Sequence, residues 1–360
     1  MARAVLTGLL GLLLVAVGGI FGAAALLLPG CALVFIALGG AGWAALAGWG
    51  RLERHVGSDK VVEDELCSIV LEARMLLPSP PGSEIVEPLA GGESRPARWG
   101  RRQRVETEVS FPRRGRQELE PARMIVRDPL GVASREVRSA PGEEVLVLPR
   151  IESVRTTRAG GGHLQALSRL SESASEEGPR VDFDTLREAR PETPLTRIHW
   201  PAVARTGQLM ELTLLAEIDR RPVVVLDATS PSSTEALDCA VRAAASLCVA
   251  FARAGGCDLL LPGERRPSHV DTTLTAWPVL HEHLALVEPG GQPVLPSRLG
   301  RVGAVFWVNA HEAGGGLPSS LARSRSACFL VTPGPGTAAS AFTVAGCHGR
   351  RLGRATRRAA

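Results

Sequence analysis

The run Pro222-Val223-Val224-Val225-Leu226-Asp227-Ala228-Thr229-Ser230-Pro231 places a carboxylate and hydroxyls directly after a continuous apolar stretch. An acid at the carboxyl end of a buried parallel strand stands where open α/β sheets bind ligands. Asp with Thr or Ser oxygens is a hard donor set of the kind that suits Mg²⁺. Asp227 and Thr229 are therefore the candidate metal ligands, Mg²⁺ is the candidate ion, and no other cofactor is expected. Gly334-Pro335-Gly336-Thr337-Ala338-Ala339 has G-x-G-x-x-A spacing after a strand. A dinucleotide site also needs an acid about 20 residues later, and no Asp or Glu follows Glu312. His281-Glu282-His283 separates its histidines by two, whereas helical metal pairs use i, i+4, so a solvated helix face is expected. There is no G-x-S-x-G nucleophile elbow. Lys60 is the only lysine, which excludes a Walker-A loop, and the lack of tyrosine excludes a phenolic nucleophile.

These residues must be held by elements, and the chain supplies three kinds. From Ala4 to Gly50 no residue is charged. Pro29-Gly30, a turn dipeptide, divides this stretch into Ala4–Leu28 and Cys31–Trp49, each close to the roughly 20 residues that cross a bilayer. A transmembrane helical hairpin over residues 1–50 is expected. A signal peptide is the competing reading, but its apolar region is only about 7–15 residues long. Arg3 precedes the first span, Arg51 and Arg54 follow the second, and the turn has no arginine, so both ends are expected in the cytoplasm. The expected location is thus the inner or plasma membrane, with a two-span anchor and a cytoplasmic body.

Residues 51–152 read as a small β-sandwich. Val105, Thr107, Val109 and Phe111 alternate with Glu106, Glu108 and Ser110, the period of a half-buried strand. Pro78–Arg98 reads as a long exposed loop and 153–180, with Gly160-Gly161-Gly162, as a flexible linker. Residues 181–347 alternate strands with helices, the pattern of a doubly wound parallel sheet covered on both faces. Residues 348–360 form a basic tail. Setting aside Arg3 and the five tail arginines leaves 35 basic against 37 acidic residues, a balance that argues against a nucleic-acid partner. The seven cysteines are scattered without C-x-x-C spacing, so they read as small core residues rather than a zinc site or disulfide framework.

Two motifs carry a family resemblance. Leu119, Pro121 and Asp128-Pro129-Leu130-Gly131 match a segment leading to D-P-F-G-L, and Leu186-Arg187-Glu188 through Arg197-Ile198-His199-Trp200, then Ala204-Arg205, are the counterpart of L-R-E-Y-x-P-G-D-P-x-R-x-I-H-W-x-x-S-A-R. On these residues the chain resembles the bacterial membrane family called domain of unknown function 58. Ala189 stands for the family's Tyr and Glu192-Thr193 for its Gly-Asp turn. The resemblance implies an anchored β-domain followed by an α/β domain similar to von Willebrand factor A domains, whose metal loop reads D-x-S-x-S. Here Thr229 keeps an oxygen and Pro231 does not, a degraded site. Family members are commonly encoded beside MoxR-type AAA+ ATPases, which implies a scaffold or adaptor for such a partner rather than an enzyme. The enzymatic alternative is a divalent-metal-dependent or hydrolytic activity at Asp227. Arg187, Glu188, Arg197, His199, Trp200 and Arg205 form either a docking surface or a structural brace, the brace being favoured, with Asp128, Pro129 and Gly131 as the other motif positions.

Overall fold

The computed structural model of the chain describes residues 2–92, 94–156, 185–188, 200–213, 221–295, 304–311, 318, 321, 327–336 and 340–352. It divides into two compact units, Met1–Val147 and Leu148–Ala360.

The first unit begins with two apolar helices, α1 (Ala2–Ile20) and α2 (Ala24–Ala47), each long and apolar enough to cross a membrane. The turn between them falls at Phe21–Ala23, not at Pro29-Gly30. Gly22 adopts φ +61°, a conformation glycine takes without steric cost, and the Ala23 amide donates to the Gly18 carbonyl at 2.9 Å. Pro29 lies inside α2. Gly30 is instead a packing position, because a Cβ there would lie 2.8 Å from Val15 Cγ2 and 3.0 Å from the Gly11 carbonyl. The buried residues of α1 are Ala4, Gly11 and Gly18; α2 buries Gly30, Ala37 and Ala44, with Gly40 and Ala47 beside them. Small residues at seven-residue spacing let two backbones approach closely along one seam.

The rest of this unit is β-structure: β1 (Arg51–Val56), β2 (Lys60–Val62), β3 (Leu66–Ser79), β4 (Glu84–Val86), β5 (Ser94–Pro96), β6 (Gly100–Ser110), β7 (Gly115–Glu118), β8 (Arg123–Arg127), β9 (Ser134–Arg138) and β10 (Glu144–Leu148). They form three small sheets, β1-β3-β6, β2-β10-β7 and β5-β4-β8-β9, where two sheets of a sandwich were expected. One apolar core, including Ile69, Leu71, Ile85, Met124 and Val147, joins them. The expected loop at Pro78–Arg98 contains two of the strands. Ile85 anchors that segment in the core, which turns a Pro- and Gly-rich stretch into ordered structure.

In the second unit the strands are β11 (Arg155–Thr156), β12 (Thr185–Glu188), β13 (Met210–Thr213), β14 (Val223–Asp227), β15 (Cys257–Leu260), β16 (Ser268–Val270), β17 (Ala304–Asn309), β18 (Ala327–Pro333), β19 (Phe342–Val344) and β20 (Cys347–Leu352). The helices are α3 (Trp200–Thr206), α4 (Thr234–Ala254) and α5 (Trp277–Ala285). The main sheet runs β11-β19-β20-β18-β17-β14-β15-β16. Its centre, β18-β17-β14-β15, is parallel, and β16, β20, β19 and β11 add antiparallel edges. Every residue of β17 and β18 is buried, as parallel strands covered on both faces require. Ser233 caps α4, accepting from the Ala236 amide at 3.0 Å, and Gly255 with φ +143° ends it. Among the described residues both α4 and α5 join the core on one face, with Leu226, Phe306 and Phe329, so double winding is seen here on that side alone. On the opposite face Val225, Trp307 and Leu330 pack with Leu321 and Leu352.

The expected linker supplies an edge strand at Arg155–Thr156, paired with β19; its remainder, 157–180, lies outside the described residues. The expected tail starts as β20, through Leu352, and 353–360 lie outside the described residues.

Candidate functional site

Strand β14 lies between β15 and β17. The chain therefore leaves β14 in one direction for β15 and later returns past it to β17, a change of direction that opens a crevice at the carboxyl ends of the strands. Asp227 ends β14 and is paired in register with Asn309, which ends β17. Val308 pairs with Val331, so the next position on β18, Thr332, adjoins Asn309. Thr332 pairs in turn with His348 on β20. Paired residues of a sheet point to one face. Asp227, Asn309, Thr332 and His348 thus make a polar row on the face opposite α4. Thr332 Oγ1 and His348 Nε2 are 3.3 Å apart, and His348 Nδ1 lies 3.4 Å from the Gly334 carbonyl. Of this row, sequence reasoning found only Asp227. The available signal was that each apolar run closes on a polar residue, Val308-Asn309 and Val331-Thr332.

The loop after β14 is braced by its own polar groups. Asp227 Oδ1 accepts from the Thr229 amide at 3.0 Å. Thr229 Oγ1 donates to the Gly291 carbonyl at 3.5 Å. The Ser232 amide and hydroxyl both donate to the Ala310 carbonyl, at 3.1 and 3.2 Å. Ser230 holds φ +47°. As a Mg²⁺ site this loop fits poorly: Pro231 offers no side-chain oxygen, and Asp227 is the only acid of the loop. No group of three or more His, Cys, Asp or Glu side chains placed to hold a metal occurs among the described residues. Burial pushes the Cys239 and Cys347 thiols up, away from the reactive thiolate.

The second motif is split. Leu186, Arg187 and Glu188 lie on β12, which pairs antiparallel with β13 so that Arg187 stands opposite Glu211. Arg197 and His199 lie outside the described residues. Trp200 opens α3 and is 56% exposed, and Arg205, also exposed, is in the helix's last turn. The ring is therefore on the surface, where the brace reading had it buried.

The Asp128 motif is the turn joining β8 to β9. Asp128 is 2% exposed. Its carboxylate accepts from the Leu130 amide at 3.1 Å and from the Ala133 amide, and its carbonyl accepts from the Gly131 amide at 2.9 Å. Gly131 has φ +71°, so the turn needs both its Asp and its Gly. Pro129, Leu130 and Gly131 are exposed.

His281, expected on a solvated helix face, is buried instead. Its Nε2 donates to the Pro149 carbonyl at 2.7 Å and its ring stacks on Trp277 at 5.0 Å. No family model matches the chain, and a comparison with curated proteins finds no match.

Proposed function

We propose that the chain is a membrane-anchored scaffold or adaptor with its body on the cytoplasmic side, which holds a MoxR-type AAA+ ATPase through the α/β unit and carries out no chemistry of its own. The observation that carries this reading is the bracing of the sheet's carboxyl edge. Asp227, Thr229 and Ser232 hydrogen-bond to neighbouring backbone, and Pro231 leaves the loop without the further side-chain oxygen a metal site would call on. The two apolar helices support the anchor, and Arg3 and Arg51 at its ends support the orientation. The kinship to domain of unknown function 58, and to von Willebrand factor A domains, rests on the quoted motifs and on an Asp ending the first parallel strand. The docking surface we assign is α3, where an aromatic ring and a guanidinium are both exposed, the residue types enriched at binding hot spots.

The polar row Asp227, Asn309, Thr332 and His348 favours one other reading, a metal-dependent or hydrolytic activity at this edge. Mixing the detergent-solubilised full chain with a MoxR-type ATPase, then crosslinking, separates the two. A scaffold gives crosslinks to the α/β unit that are lost in Trp200→Ala while the melting temperature stays that of the parent. The enzymatic reading predicts instead a rise in melting temperature with millimolar Mg²⁺, by ligand linkage, that disappears in Asp227→Ala. That rise, or absence of any crosslink, overturns the scaffold.

A further inference from the structure

We infer that the exposed tip Pro129-Leu130-Gly131 of the β8–β9 turn is a third lipid contact, entering the bilayer interface beside the helical hairpin. The inference rests on the reading of α1 and α2 as membrane spans. Its basis is the height at which the turn meets α2. A Cβ on Gly40 would lie 3.2 Å from Asp128 Oδ2 and 3.7 Å from Ala133 Cβ. Ala133 is buried with Ala44 of α2 and Ala4 of α1. Gly40 is seven residues before the end of α2, about 10 Å along the axis at 1.5 Å per residue. A hydrocarbon layer of about 30 Å takes up about 20 residues, which counted from Ala24 reaches Trp43. The turn therefore contacts α2 where the helix is still at the edge of the hydrocarbon. Arg3, next to Ala4, and Arg135, whose Nε would lie 2.9 Å from a Cβ on Gly48, place guanidinium groups slightly further out, at headgroup height.

The chemistry of the tip suits that position. Leu130 is 66% exposed, apolar surface that water disfavours and lipid does not. Backbone within a bilayer must have its polar groups satisfied internally. Here Pro129 has no N–H, the Leu130 and Ala133 amides donate to the Asp128 carboxylate, and the Gly131 amide donates to the Asp128 carbonyl. The Asp128 amide donates to the Ala133 carbonyl at 3.0 Å. The buried acid of the motif thus pairs the Leu130, Gly131 and Ala133 donors of a turn that carries a leucine outward.

The test uses the full chain with Cys31→Ala and Cys239→Ala, since the other cysteines are buried. It is reconstituted in vesicles of phosphatidylcholine and phosphatidylglycerol. An environment-sensitive fluorophore is attached at Leu130→Cys, at Leu28→Cys on α2, or at Ser110→Cys at the far end of β6. Nitroxide-labelled lipid and aqueous iodide are the two quenchers. The expected result is blue-shifted emission quenched by the lipid nitroxide at 130 and at 28, and quenching by iodide alone at 110. Lipid quenching at 28 with iodide quenching at 130 overturns the tip contact and leaves the hairpin standing. Absence of lipid quenching at 28 overturns the membrane reading itself. Protection of 130 from both quenchers overturns the proposal in favour of a protein covering the tip. Pro129→Cys, at a neighbouring exposed position, gives an independent reading of the same outcomes.

Discussion

At the scale of single residues, Arg54 ties several segments of the first unit together. Its side chain is 0% exposed. Nε and Nη2 fork onto Glu87 at 3.1 and 3.0 Å, Nη1 lies 3.4 Å from Glu143, and Nη2 also donates to the Glu120 carbonyl. The sequence suggests only a topology charge at this position, following an apolar helix. Nothing local marks it as buried, because Glu87 is 33 residues away. A buried pair adds little over an apolar replacement, but removing one partner leaves the other charge unsolvated. Arg54→Ala is therefore expected to cost about 3–5 kcal/mol, read by denaturant unfolding of the solubilised chain, and a loss under 1 kcal/mol would sink this account. Burial raises the Glu87 carboxyl above its usual value of 4.5, with Arg54 opposing. A raised carboxyl favours the folded state most below its unfolded pKa, and that contribution is lost as the pH rises through the folded pKa. Glu87→Gln should flatten this part of the stability profile just above pH 4.5. An unchanged slope would show that Glu87 does not titrate there.

At the scale of elements, the hairpin is set by where small residues fall. Gly11 and Gly30 meet so closely that a Cβ on Gly11 would lie 2.8 Å from the Gly30 carbonyl. Without water to drive helices together inside a bilayer, close backbone approach and dispersion are the main sources of association. Gly30→Leu should force the helices apart, whereas Gly39→Leu, where a side chain meets open space, should not. Oxidative crosslinking between cysteines placed at Gly8 and Ala37, whose Cβ positions are 3.4 Å apart, reports the separation. Equal crosslinking in both variants would mean the seam is not what holds the pair. The strongest apolar run was legible: β14 stands where Val223-Val224-Val225-Leu226 puts it, and strands alternate with helices after it as expected. What misled was Pro-Gly, read as a turn although helices in apolar surroundings accept proline. The polar ends Asn309 and Thr332 of two apolar runs were there to be read, but their assembly with His348 into one row was not, because strand order, not spacing along the chain, brings it together. His281 was hidden for the same reason, its partner Pro149 being 132 residues distant.

At the scale of the whole molecule, the proposed anchor turns on which side of a membrane the body lies. Charges decide orientation through the cost of carrying arginine across, counted near the ends of the spans. Arg3, Arg51 and Arg54 flank the hairpin and the Phe21–Ala23 turn has none, so the proposed orientation has the turn as the part that crosses. The reporter has to be chosen by exposure. Cys257 is 0% exposed and would stay unlabelled on either side. Cys239 is half-buried, with its thiol pushed up by burial and therefore slow to react. Ser110→Cys is better placed: Ser110 is exposed, and its partner Leu66 on β3 is eight residues from Arg74, whose carbonyl adjoins Gly50 at the end of the hairpin. At roughly 3.3 Å per residue that is about 26 Å from the hairpin end of the strand. In intact cells a membrane-impermeant maleimide should leave Ser110→Cys unmodified, and the same reagent should modify it fully after permeabilisation. Modification in intact cells, with a cytoplasmic control protein untouched, would place the body outside and remove the basis for a cytoplasmic AAA+ partner.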